Sequence, residues 1–387
     1  MGGNGNQPGG SRLDSVASAV GAVVFAIALG IASVAVPLLM VRADYSAPEI
    51  GVLVALSAVA QMGTRMFMGA MMRHLADKLF VVMAAAALAA SCVVLIASTS
   101  WLVFAVSQLL QGLARAFFWT GTQTHAVRMS SSAVAALARV NFASGAGQIA
   151  GPLAAGVLIA HSPDLALWVA TATAALGIGS ALLLTRLPPF APRADRESAG
   201  RVWRRPSVAV ACWAGASAGA WRGLLGSYVP VVLELARHSS TTIGALVSVA
   251  NGAQVAGSAL AGRARGAGVR WSLILGVLAS GLGIAAVGPL AASTALVAIG
   301  LLVSGIGAGA LQTIGPAVAT DAVHVEERGE AIASTGTFRA AALLASPFAV
   351  AGMVLVMPLG LALLAAGLLI TVPALGVGRL RPTSGTP

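Results

Sequence analysis

Residues 16–41, VASAVGAVVFAIALGIASVAVPLLMV, contain no charged side chain. As a helix rising about 1.5 Å per residue, a run of that length crosses the ~30 Å hydrocarbon core of a bilayer. Similar runs recur to the end of the chain, and they restrict its fold more than any other feature. In lipid every backbone amide must be satisfied within the chain, so only helices and closed barrels span it. Barrel strands would appear as ~10-residue alternating segments, and the sequence has none. Charged residues make up 9% of the 387 positions and hydrophobic ones 58%, where a soluble domain carries roughly 25% charge. An all-α integral membrane protein is expected.

Twelve transmembrane helices are expected, at about 16–41, 50–72, 79–99, 101–127, 140–160, 165–185, 207–233, 243–262, 271–290, 292–319, 331–356 and 358–378. The first is too long for a signal-peptide core and reads as a retained helix. Between the sixth and seventh lies RLPPFAPRADRESAGRVWRRP, Pro-rich, charged and aperiodic, which reads as a linker. The expected organisation is a tail 1–15, a six-helix half 16–185, a linker 186–206, a second six-helix half 207–378 and a tail 379–387.

Basic residues orient such a chain. On one set of loops the Lys and Arg residues are Arg42 and Arg237 alone, whereas the other set includes Arg73, Lys78, Arg128, Arg139, Arg263 and Arg270, and the linker adds six arginines. A multi-pass protein of the cell (plasma) membrane with both termini cytoplasmic is expected. The formal net charge of +11 belongs to this loop asymmetry and does not point to nucleic acid. Cys92 and Cys212 both fall within expected spans, so no disulfide is expected. No metal spacing or cofactor motif is present.

The chain also repeats. At an offset of 193, Gly30 matches Gly223, Pro37 matches Pro230, Gly51 matches Gly244 and Gln61 matches Gln254. Gly69 with Gly262, Gly112 with Gly305 and Thr120 with Thr313 keep the register, and Pro152 with Pro347 follows at 195. Two pseudo-symmetric six-helix halves, parallel repeats about an axis along the membrane normal, are a plan on which transporters are built.

With its 6+6 repeat, its linker and its topology, the chain resembles a major facilitator superfamily transporter over nearly its whole length. The most specific match is GQIAGPLAAG, residues 147–156. The drug/proton antiporter branch has Gly-x-x-x-Gly-Pro-x-x-Gly-Gly there. Gly147, Gly151, Pro152 and Gly156 fit it, and Ala155 replaces one glycine. Small residues let helices approach closely, and Pro152 can kink the helix, which suits a moving contact between halves. A second family motif is partial: in GAMMRHLADK, Gly69 and Lys78 match, but Arg73 stands for the usual Asp, His74 for Arg and Ala76 for Gly. Gln108 stands for the usual Arg before Gly112. The acidic loop TDAVHVEERGE, with Asp321, Glu326, Glu327 and Glu330 against Arg328, suggests a replacement latch. In it, Arg73 and Lys78 pair with carboxylates of that loop when the cytoplasmic side closes. The alternative is a solvated loop suited to a helix N-terminus.

Four arginines fall inside expected spans: Arg65, Arg115, Arg222 and Arg339. A charge at bilayer depth costs about 3 kcal/mol on insertion scales. The resemblance implies that the first, fourth, seventh and tenth helices line a central cavity. Arg115 and Arg222 then face it from opposite halves at mid-depth, where they could hold an anionic group. Alternatively each bonds carbonyls and polar neighbours. Gln111, Trp119, Gln123, Trp221, Gln312 and Thr313 are further candidate substrate contacts, and Phe117, Phe118 and Trp213 could add aromatic surface. Arg65 and Arg339 lie nearer the cytoplasmic ends and read as snorkelling, structural or gating residues. No Asp or Glu lies within a span, which weakens proton antiport through a buried acid; Glu49, Glu234 and His125 are the nearest carriers and read as interfacial.

The resemblance implies a secondary active transporter that moves a small organic molecule by alternating access, with efflux as the expected direction. Its expected partners are that substrate, the lipid bilayer and, in the antiport reading, protons, and it is expected to act as a monomer. Organic-anion uptake or exchange through Arg115 and Arg222 is the alternative, and a non-transporting membrane sensor is the alternative of another class. An enzyme is not expected, because paired acids, a Ser/His set or an ATP-binding loop do not occur within the spans.

Overall fold

In a computed structural model the chain is described over residues 12–130, 133–189, 202–263, 267–324 and 327–379, and every regular element among them is helical. The first half comprises α1 (Arg12–Arg42), α2 (Ala47–Met71), α3 (Asp77–Ala97), α4 (Trp101–Arg128), α5 (Ala133–His161) and α6 (Pro163–Leu182). The second comprises α7 (Pro206–Leu225), α8 (Tyr228–Leu235), α9 (Ser240–Ala261), α10 (Ala267–Val287), α11 (Thr294–Asp321), α12 (Arg328–Val354) and α13 (Leu359–Thr371). Eleven of these segments are long and apolar enough to cross a membrane. We call the side bearing both ends of the chain the terminal face.

Local chemistry starts the helices where the sequence places them. Glu49 accepts hydrogen bonds from the Ser46 amide and hydroxyl at the start of α2. Ser162 accepts from the Leu165 amide and Ser239 from the Thr242 amide, capping α6 and α9. The seventh span differs from expectation: it is not continuous over 207–233 but breaks at Gly226–Ser227 into α7 and α8. Ser227 leaves helical geometry at φ −124° and ψ −79°, and its hydroxyl donates to the Gly223 carbonyl. The break lets Tyr228 reach the other half, where its hydroxyl donates to the Ala47 carbonyl.

The sequence repeat is a repeat of contacts. A Cβ on Gly112 would press on Ser57, Ala60 and Gln61, and one on Gly305 would press on Ala250, Ala253 and Gln254, the same set at the same offset. Gly30 packs on Pro152, as Gly223 packs on Pro347. Between halves, α5 lies on α9 and α12 lies on α2, with Gly156 against Gly244 and Ala351 against Gly51. Even the turns match: Asp44 and Arg237 both take positive φ, 61° and 66°, where their helices end.

Bonds between halves hold the face opposite the termini together. Arg42 pairs with Glu234 at 3.1 Å. Deeper, Ser248 donates to the Ile149 carbonyl and Asn251 to that of Gln148. Nearer the terminal face no cross-half hydrogen bond occurs among the described residues, and nothing lies within 4 Å of where a Cβ on Gly69 would be. The halves are bonded at the face opposite the termini, here called the sealed face, and among the described residues no hydrogen bond joins them at the terminal face.

Candidate functional site

Between the halves α4 forms no packed face with α7 or α11; Arg115 lies on α4 and Arg222 on α7, while Arg65 and Arg339 lie on α2 and α12, which pack on each other, and are exposed. Arg222 is partly buried; its Nη1 donates to Asn251 Oδ1 at 2.6 Å. Because Asn251 also bonds α5, this arginine is tied to the seam between halves. Arg115 is partly buried, and its Nε has no acceptor among the described residues. The two arginines lie within electrostatic range of each other, as do Arg222 with Arg339 and Arg339 with Arg65. No carboxylate comes within ion-pairing distance of any of the four among the described residues.

Helix register fixes their order in depth. On α7, Gly215 faces Thr335 and Gly219 faces Arg339, so Arg339 lies about one turn nearer the terminal face than Arg222. On α4, Gly112 faces Ser57–Gln61, which places Arg65 about one turn nearer that face than Arg115. The antiparallel contact of Gly51 with Ala351 interleaves the two pairs. From sealed face to terminal face the order is Arg222, Arg115, Arg339, Arg65, alternating between halves over about 7.5 Å of helix rise.

Arg339, read from sequence as a snorkelling, structural or gating residue, is exposed and lines a recess of about 140 Å³ with Gly215, Ala218, Leu311, Gln312 and Thr335 among its neighbours. Gln312 belongs to the same recess, and its buried Nε2 has no acceptor. Other candidates are placed elsewhere. Trp221 is fully buried and donates from Nε1 to Ser304 Oγ at 3.0 Å, because it stands about 100° around α7 from Arg222. Gln111 is buried and its amide donates to Ser107 Oγ. The Thr313 hydroxyl is turned to the Ser258 and Gly309 carbonyls. Phe117 and Phe118 belong to the first half's core, and Trp213 packs edge-on against Phe338. Trp119 and Gln123 are partly exposed on the same helix as Arg115.

The gating candidates divide by contact. Gly147 and Gly151 let α5 touch Val23–Gly30 of α1, whereas Gly156 meets Ser240–Gly244 of α9 in the other half. Lys78 Nζ donates to the Leu182 and Leu184 carbonyls at the end of α6, and Arg73 is exposed. Glu327 is gripped by Arg205 through two bonds of 2.7 Å, which hold its carboxyl below the usual glutamate range. Glu326 and the Glu330 side chain lie outside the described residues. Of the proposed latch partners, Lys78 bonds within its own half and Glu327 bonds the end of the linker.

A buried polar cluster was not foreseen. His125, read from sequence as interfacial, is fully buried between Asp14 and Asp77. Its Nε2 is 3.2 Å from Asp14 Oδ1, and its Nδ1 approaches Asp77 Oδ2 at 3.4 Å. Asp14 also accepts from the Thr185 amide and hydroxyl, and Arg128 Nη1 lies 3.5 Å from Asp77. Three helix ends, from α1, α3 and α4, converge here, and no pattern along the sequence announces that meeting.

Two equivalent helical halves of membrane-spanning length, bonded at one face, are a plan on which multi-pass membrane transporters are built. The model of the Major Facilitator Superfamily matches residues 18–342. The chain belongs to that superfamily. Its fold is similar to that of the nucleoside transporter NupG, at 12% identity and TM-score 0.77, covering 94% of this chain and 97% of that one. A bacterial homologue of the human lysosomal transporter Spinster aligns at 13% identity and TM-score 0.72, covering 96% and 97%. The human organic anion transporter MFSD10 aligns at 15% and 0.65, covering 95% and 99%. No curated protein sequence matches the chain significantly.

Proposed function

We propose that this chain is a secondary transporter of small organic anions, seated in the cell membrane with both termini cytoplasmic and working by alternating access. What supports the reading is the succession in depth of Arg222, Arg115, Arg339 and Arg65, alternating between halves, with no carboxylate within ion-pairing distance of them among the described residues. Cations so placed repel one another, and the repulsion grows as water is excluded. Closing the terminal face without an anion would therefore be costly, whereas an anion held by paired guanidinium groups offsets the repulsion with charge-assisted hydrogen bonds. That asymmetry favours exchange of one anion for another over return of the unloaded carrier. Arg222 connects loading to motion, because its partner Asn251 also bonds Gln148 across the seam.

A second reading is efflux of a small organic molecule driven by proton antiport. The pattern Gly147, Gly151, Pro152 and Gly156 favours it, since it resembles the antiporter branch and places α5 against both halves. Proteoliposomes separate the two. Exchange predicts uptake of a labelled organic anion only with an anion on the other side and indifference to an imposed pH gradient. Flux that collapses with the gradient and ignores internal anions would overturn it. A chain that binds anions but moves none would instead be a sensor.

A further inference from the structure

Two sets of donors follow one another in depth, and each contains a buried donor without an acceptor among the described residues. The inner set is Arg222 and Arg115; Arg115 Nε is buried without a partner. The outer set is Arg339 with Gln312, whose Nε2 is buried without a partner in the same recess; Arg65 stands beyond it. A buried polar donor left without an acceptor is costly in a native protein, and two such donors in one pathway point to acceptors that arrive with a ligand. A single carboxylate can satisfy the inner pair. It leaves Arg339 and the Gln312 amide N–H, about one helical turn from Arg222, without an acidic acceptor.

Resting on the anion-transporter reading, we propose that the substrate is an organic dianion whose two acidic groups, carboxylate or phosphate, are held one by Arg222 and Arg115 and the other by Arg339 and Gln312. A guanidinium engages either acid through parallel hydrogen bonds. Because Arg222 and Arg339 come from one half and Arg115 from the other, such a ligand joins the halves at two heights. It thereby resists their shearing as well as their separation.

The test uses the full chain in nanodiscs and isothermal titration. The probes are α,ω-dicarboxylates from malonate to suberate, the alkyl bisphosphonates of matching length, and the monocarboxylate of each length. A dianion of intermediate length is expected to bind about tenfold or more tighter than its monoanion, the worth of one added charge-assisted contact. Whether dicarboxylates or bisphosphonates bind tighter identifies the acid. Arg339→Gln should weaken the dianion far more than the monoanion and so erase the dianion's advantage, whereas Arg115→Gln should weaken both by similar factors. Gln312→Leu and Arg339→Lys serve if the glutamine variant does not fold. Equal binding of dianions and monoanions, still dependent on Arg115, would overturn this inference and leave the anion reading intact. Binding of neither class, or binding indifferent to Arg115 and Arg222, would overturn both.

Discussion

Asn251 is the side chain through which a cavity arginine feels the other half. Its Oδ1 accepts from Arg222 and its Nδ2 donates to the Gln148 carbonyl. Asn251→Asp would put a fixed carboxylate in hydrogen-bond contact with Arg222 and compete with any anion. Anion affinity should fall about tenfold or more, measured by titration, and the bond to the Gln148 carbonyl is lost with it, since a carboxylate cannot donate. His125 is the opposite case, buried and remote from the pathway. His125→Leu leaves Asp14 and Asp77 in the interior without their shared partner. Breaking a buried pair costs about 3 kcal/mol, so the thermal midpoint should drop sharply in a detergent-solubilised sample. Arg115 was legible in the sequence because a charge in an apolar run is conspicuous. The neighbours Trp221 and Arg222 were not told apart, because one residue's rotation about the axis sends one side chain to the core and the other to the cavity. His125 could not be read at all, since its meaning lies in two aspartates far from it along the chain.

At the scale of elements, helix ends carry conclusions the sequence states only in part. The turns after α1 and α8 share one geometry: the Tyr45 amide bonds the Met40 carbonyl and the Asp44 amide that of Val41, while His238 and Arg237 bond Leu233 and Glu234 in the same way. Each turn requires a left-handed residue, a place usually held by glycine. Arg237→Gly should therefore stabilise the protein by up to about 1 kcal/mol, read from thermal unfolding, provided the loop's charge is not otherwise needed. Arg205 and Glu327 form a second device, clamping the end of the linker to the start of α12. Because the Glu327 carboxyl is held below its ordinary range, the clamp is intact at neutral pH. It is lost as acidification passes through that lowered value. Glu327→Gln removes it at every pH, and trypsin should then cleave after Arg204 severalfold faster. The twelve apolar spans were legible from hydropathy alone. The break between α7 and α8 was not, because Gly226 and Ser227 are compatible with a continuous helix until Tyr228 finds its acceptor in α2.

For the whole molecule, the seam of α5 on α9 decides which face is sealed. A Cβ on Gly156 would stand 2.5 Å from the Ser240 carbonyl oxygen and 2.9 Å from Thr241 Cα. Gly156→Val should disfavour the arrangement sealed at that face by about 1–3 kcal/mol, the usual cost of overpacking. Maleimide labelling of Gly69→Cys from the terminal face should slow in that background, and unchanged labelling would mean that α5 and α9 do not form the seal. The sequence by itself determined the class of solvent, the helical state of the chain and its internal repeat, because apolar length, charge frequency and spacing are properties of a single strand of residues. It also placed four cations within the bilayer. Only the tertiary structure decided the order in depth of these four arginines, the recess that Arg339 shares with Gln312, and the enclosure of His125. Those outcomes depend on how helices rotate and pack against partners distant in sequence, and close packing is settled by the shapes of both surfaces together.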